Sequence, residues 1–165
     1  MKLLKARAYF KNITEISPEF LKENGISGLI LDIDNTLIGH NVPLPDEKTT
    51  NHLRVLENAG IKLCVVSNNT YDRVKSFTEK IGVEFFVANA LKPRKKGYLE
   101  ASECMKLPLN EIGAVGDQLF TDILGANLAH CFSIYTKPLH TGGEGFLIAL
   151  KRVLEKPFLR KEDLL

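Results

Sequence analysis

The sequence of 165 residues predicts a single α/β domain, a five-stranded parallel sheet with helices on both faces. Two observations carry this. Five short apolar runs have the length and composition of strands: Leu29 to Ile33, Lys62 to Ser67, Glu84 to Ala88, Ile112 to Val115 and Cys131 to Tyr135. Between them lie stretches with helical spacing, and alternation of strand and helix at this interval calls for right-handed parallel crossovers. The composition, 44% hydrophobic and 25% charged, supports one full-sized core.

Residues 1–26 read as a lead-in with a short helix near Pro18 to Glu23, and the core spans about 27–155. The first strand is followed by a flap over about Leu37 to Leu44. A helix then begins near Asp46, which suits an N-cap, and stops at Gly60, which suits a left-handed residue past a helix end. The second helix carries Val74, Phe77 and Ile81 on one face and closes at Gly82. The third is expected over Pro93 to Lys106, with Pro93 in its first turn and Pro108 beyond its end. The fourth covers about Leu119 to Leu128. A last helix follows Gly142-Gly143 with Phe146, Leu150 and Val153 on one stripe, and residues 156–165 form a polar tail.

Several function classes are excluded or weakened at this stage. No run approaches the roughly 18 apolar residues needed to span a bilayer. The basic start, with Lys2, Lys5, Arg7 and Lys11 before any acid, lacks the apolar stretch of a secretory signal. That segment is either a solvated terminus or a point of peripheral contact with an anionic membrane. A net charge of +2 does not argue for nucleic acid, and no feature specifies an oligomer. Cys64, Cys104 and Cys131 are odd in number and lack metal-ligand spacing, which fits reduced side chains in a cytoplasmic protein. The four histidines are scattered and form no metal pair.

The chemistry is expected where strands end, because open parallel sheets bind ligands beyond the carboxyl edge. The first strand ends in Asp32-Ile33-Asp34-Asn35-Thr36. Carboxylates at i and i+2 on extended backbone project to one side, and crowding them at an apolar rim is costly unless a cation neutralises them. A hard divalent ion such as Mg2+, which prefers oxygen ligands, does this. The pair points to one aspartate as nucleophile and the other as acid/base; the plainer alternative is a turn with two solvated acids. The second strand ends in Ser67-Asn68-Asn69, a cradle of donors for phosphate or a set of helix caps. Lys92 follows the third strand, with Pro93, Arg94, Lys95 and Lys96 after it; it can set one ammonium against a phosphoryl group, although such runs are commonly a solvated face. The fourth ends in Gly116-Asp117, with Asp122 five residues on, adding carboxylates for a metal or for helix capping. Taken singly each motif is ordinary; in this order they converge on one edge of one sheet.

That order resembles the haloacid dehalogenase superfamily of aspartate-nucleophile phosphohydrolases, a Rossmann-like fold. Asp32-x-Asp34-x-Thr36, Ser67, Lys92 and Gly116-Asp117 with Asp122 match its four motifs in sequence. Val66-Ser67-Asn68-Asn69 and Gly116 to Asn127 are similar to the YqeG family, which is related to mitochondrial phosphatidylglycerophosphate phosphatases. The resemblance implies Asp32 as nucleophile, Asp34 as acid/base, and Ser67 and Lys92 as groups that neutralise the phosphoryl charge. It places Thr36, Ser67, Asn68 and Lys92 around the phosphate. It places Mg2+ on Asp32, the carbonyl of Asp34, Asp117 and Asp122. An acidic residue at 34 separates the chain from true dehalogenases. The 30 residues between Thr36 and Ser67 and the 24 between Ser67 and Lys92 leave no space for a cap domain. The expected substrate is therefore a phosphate monoester on something bulky, with phosphatidylglycerophosphate leading by resemblance. A phospho-accepting signalling domain and a non-catalytic interaction module on the same fold are the alternatives. The motif order disfavours the first, and the intact motif set disfavours the second.

Overall fold

A computed structural model describes residues 2–39, 42–139 and 153–159. Six parallel strands form one sheet: β1 (Ala8–Phe10), β2 (Gly28–Leu31), β3 (Lys62–Val66), β4 (Phe85–Val87), β5 (Ile112–Gly116) and β6 (Phe132–Thr136). Their order across the sheet is β1-β6-β5-β2-β3-β4. The expected five strands are all present, and the sixth, β1, is a correction. It pairs with β6 in the register Tyr9 to Tyr135. Three half-buried residues at a sheet edge need no continuous apolar run, so Ala8-Tyr9-Phe10 carries no strand pattern of its own.

The helices are α1 (Pro18–Glu23), α2 (Glu47–Asn58), α3 (Tyr71–Ile81), α4 (Lys96–Met105) and α5 (Leu124–Ala129). Alternate residues of each inner strand feed two separate cores. Leu29, Leu31, Leu63, Val65 and Val115 pack with Leu53 and Leu56 of α2 and with Val74, Phe77 and Ile81 of α3. Ile30, Cys64, Val66 and Ala114 pack with Tyr98, Ala101 and Met105 of α4 and with Ala126 and Ala129 of α5. Period-two alternation in the strands and a single apolar stripe on each helix thus place layers on both faces.

Local signals account for the element ends. The Asp46 carboxylate accepts from Thr49 N at 2.7 Å and starts α2; Gly60, at φ +88°, lies just past its end. Gly82, at φ +79°, closes α3. Three expectations need amending. Pro93 is not in the first turn of a helix: Arg94 N bonds Leu91 O at 3.0 Å in a preceding turn, and α4 starts at Lys96. Lys92 must first be aimed inward, so the chain turns back before a helix can begin. The Leu119 to Leu128 helix opens with a π-helical turn, Leu119–Ile123, in which Ile123 N reaches Gln118 O at 3.2 Å. The flap is partly core, since Leu37 and Ile38 are buried while Val42 and Leu44 are exposed.

Of the last apolar stripe, Phe146 and Leu150 lie outside the described residues, and Val153 is exposed. The buried group nearby is Glu155, which accepts from Phe120 N at 3.0 Å. Phe158, expected in a tail, sets its ring edge-on against Phe120 at 6.2 Å.

The site owes its place to one reversal of direction. From β2 the chain winds outward through β3 to β4, then crosses through α4 to β5 on the other side of β2. The carboxyl ends of β2 and β5 therefore diverge at a topological switch point, where such sheets form a crevice.

Candidate active site

Asp32 leaves the end of β2 and Asp117 the end of β5; the switch point sets them facing each other. Asp122 joins them from the π-helical turn after β5. A carboxylate oxygen of each of these three buried aspartates lies within 4.8 Å of the other two. Lys92 sits among them, donating from Nζ to Asp32 Oδ1 and to Asp122 Oδ1, both at 2.6 Å. Gly116 makes the approach of Asp122 possible, because a Cβ there would collide with the Asp122 carboxyl group. Asp122 Oδ2 accepts from Gln118 N at 3.1 Å, and Tyr98 OH donates to the Asp122 carbonyl at 3.1 Å.

The electrostatics follow from burial. Loss of solvation raises the Asp32 carboxyl to about 7; Lys92 pulls it down, and Asp122 pushes it up further. Burial works against the Lys92 ammonium, yet the carboxylates of Asp122 and Asp32 outweigh it and raise its pKa. Three carboxylates and one ammonium leave an excess of two formal negative charges. An all-oxygen donor set with that excess fits a hard divalent cation.

The remaining expected residues form a second group beside this one. Ser67 and Asn69 extend from β3. The Asn69 amide donates to Ser67 Oγ at 2.9 Å and to Asp34 Oδ2 at 2.7 Å. Asp34 is not one of the three clustered carboxylates, and its Oδ1 accepts from Arg73 of α3 at 2.6 Å. Two further residues expected around the phosphate are hydrogen-bonded to other members of the site. Asn68 uses its amide on the backbone of Lys92, accepting from Lys92 N at 2.7 Å and donating to Lys92 O at 3.4 Å. The buried Thr36 hydroxyl donates to Asp117 Oδ1 at 3.4 Å. Asn68 therefore fixes the turn that aims Lys92, and Thr36 steadies Asp117.

Sequence reasoning missed Arg73 and Tyr98. Tyr98 lies on the apolar stripe of α4 and reads as core, which it is. Arg73 is one of several charges on α3, and nothing in the sequence marks it. A groove of about 570 Å³ lies beside Asp34 and α3, and Asn69, Arg73 and Gln118 are among its lining residues.

Comparison with known proteins agrees with this geometry. The family model described as mitochondrial PGP phosphatase matches residues 1–139. Probable phosphatase YqeG of Bacillus subtilis (strain 168) is 36% identical over 151 residues, covering 92% of this chain and 87% of that one. The chloroplastic/mitochondrial phosphatidylglycerophosphate phosphatase 1 of Arabidopsis thaliana is 27% identical over 160 residues, covering 92% of this chain but 46% of that one. Among solved structures, a HAD superfamily (subfamily III A) hydrolase from Legionella pneumophila shares the fold with a TM-score of 0.51 at 17% identity. That match covers 84% of this chain and 87% of the other. The chain thus belongs to the mitochondrial PGP phosphatase family and is a phosphatase, with the fold of that Legionella hydrolase.

Proposed function

We propose that the chain hydrolyses phosphate monoesters through an aspartyl-phosphate on Asp32. The observation that carries this is the buried group of Asp32, Asp117, Asp122 and Lys92 at the switch point. An Asp32 carboxylate oxygen attacks phosphorus, and the bond from phosphorus to the leaving oxygen breaks. Asp34, at the rim of the same edge, gives its proton to that oxygen. Water then attacks the aspartyl-phosphate, Asp34 takes a proton from the water, and the bond between Asp32 and phosphorus breaks. Lys92 and Ser67 stabilise charge on the phosphoryl oxygens. Asp32, Asp117 and Asp122, with the carbonyl of Asp34, would hold Mg2+. The bound ion supplies charge neutralisation for the phosphoryl group and keeps Asp32 ionised despite its burial.

The segments between the motif residues support a bulky substrate. Among the described residues, 37–66 contribute a loop, α2 and β3, and 68–91 contribute α3 and β4. Neither segment holds a further helix or strand among the described residues. Taken with the activity named for the Arabidopsis relative, this makes phosphatidylglycerophosphate our leading substrate, met at the surface of an anionic membrane. Arg94, Lys95 and Lys96, all exposed beside Lys92, supply a basic rim for that surface.

The test is hydrolysis of an aryl phosphate with and without Mg2+. Turnover is expected only with Mg2+ or a similar hard cation. Asp32→Asn is expected to lower it by roughly a thousandfold or more with the fold intact. A near wild-type rate in that variant would end the covalent reading.

A further inference from the structure

We infer that Arg73 is a specificity residue, which receives a second anionic group on the substrate; this rests on the phosphatase reading above. Arg73 lines the same groove as Asp34. Its guanidinium binds Asp34 Oδ1 at 2.6 Å, on the acid/base residue itself, and more than half of its side chain is exposed. Asn69 holds the other oxygen. A leaving group that approaches Asp34 therefore meets Arg73 first.

The groove beyond supplies the rest of the argument. One wall is a single face of α3, with Arg73, Ser76, Phe77 and Lys80 at spacings of three and four residues. The facing wall includes Ile38 and Val42. Its two cations lie seven residues apart, about 10 Å along the helix axis. Asp34 is the single carboxylate among the described lining residues, and Lys80 has no acidic partner among the described residues. The solvent face of α3 differs, because Lys75 is matched there by Glu79 at 3.9 Å. A substrate with only the reacting phosphate offers Arg73 nothing in exchange for Asp34. A substrate with a second phosphate offers a bidentate partner and lets Arg73 swing from Asp34 into the groove. The groove thus selects phosphomonoesters that carry a further phosphate a few bonds from the reacting one, with apolar matter beyond it.

The experiment compares kcat and KM for three soluble substrates: glycerol 3-phosphate, the deacylated headgroup glycerophosphoglycerol monophosphate, and a sugar bisphosphate. Wild type is expected to favour at least one doubly charged substrate over glycerol 3-phosphate by roughly tenfold or more in kcat/KM. Preference for the headgroup identifies a lipid source for the second phosphate; equal preference for the sugar bisphosphate identifies a soluble one. Arg73→Ala is expected to erase most of the preference, chiefly through KM on the doubly charged substrate. Arg73→Lys is expected to restore part of it, and Lys80→Ala to cause a smaller loss. Lys22→Ala, at the opposite end of the sheet, serves as the control and leaves the ratio unchanged. No preference in wild type overturns the inference. So does an equal loss on all substrates in Arg73→Ala, which would make Arg73 only a tether for Asp34. In either case hydrolysis by wild type leaves the phosphatase reading standing, whereas no hydrolysis of these or of an aryl phosphate removes both.

Discussion

Burial and charge pull Asp32 in opposite directions, and the balance between them would tie the proposed nucleophile to a metal. Removed from water, the carboxyl group is raised to about 7 despite an ammonium 2.6 Å away. A divalent cation shared with Asp117 and Asp122 would restore the ionised form. Asp117, fully buried, owes its place to the end of β5 and to the Thr36 hydroxyl. Asp117→Asn keeps the shape and removes one charge from the donor set. The Mg2+ concentration for half-maximal turnover should rise about tenfold or more. Titration of aryl phosphatase activity against Mg2+ checks this, and superimposable curves would exclude Asp117 as a ligand. Asp32, Ser67 and Asp117 are legible because each lies at or just past the end of an apolar run, so strand and motif announce one another. Arg73 is not. Its partner Asp34 is 39 residues away in sequence, and an arginine on a helix surface looks the same whether it faces solvent or a substrate groove.

Helix ends and strand interiors write themselves into the sequence with different strength. Asp46 shows the strong case. Its side chain accepts from Thr49 N at 2.7 Å and fixes the first turn of α2. Asp46→Ala should cost about 1 kcal/mol, seen as a lower urea midpoint. The hydrogen bonds from Thr49 hold the folded carboxyl below its ordinary 3.8. Between the folded and unfolded values the unfolded chain therefore binds more protons. The stabilisation is complete above about pH 3.8 and is lost as pH falls through the folded value. The gap between wild type and Asp46→Ala should accordingly be full at neutral pH and narrow below pH 4. A gap that persists at low pH would show that the carboxylate charge is not what caps α2. Strand β1 shows the weak case, three residues whose pairing with β6 only tertiary structure can supply. The turn at Leu91 to Arg94 and the π-helical turn at Leu119 to Ile123 were also hidden. Both bend the chain to deliver a side chain, Lys92 or Asp122, to a point set by other strands. Such demands leave no local period to read.

At the scale of the whole molecule, one reversal of winding creates the crevice, and among the described residues the inter-motif segments add no further domain to it. Lys92 is spent inside the cluster, but Arg94, Lys95 and Lys96 stand outside it and exposed; Lys96 has a loose partner in Glu100 at 3.6 Å. The other basic segment contributes less, since Arg7 lies over the Phe132 ring at 5.5 Å beside β1, on the far edge of the sheet from α3 and β4. No helix among the described residues is long and apolar enough to cross a membrane. Exposed charges act over about a Debye length, roughly 10 Å at 0.1 M salt and 3 Å at 1 M. Turnover of phosphatidylglycerophosphate in anionic vesicles should therefore fall steeply as salt rises, while turnover of a soluble aryl phosphate changes little. Reversing Arg94 and Lys95 to glutamate should reproduce the high-salt rate on vesicles already at low salt. If the vesicle rate proves insensitive to both salt and charge reversal, the basic rim plays no part in presenting the substrate. Rates on soluble sugar phosphates or nucleotides well above the lipid rate, with no vesicle binding, would move the substrate into solution and leave the chemistry of Asp32 and Asp34 as it stands.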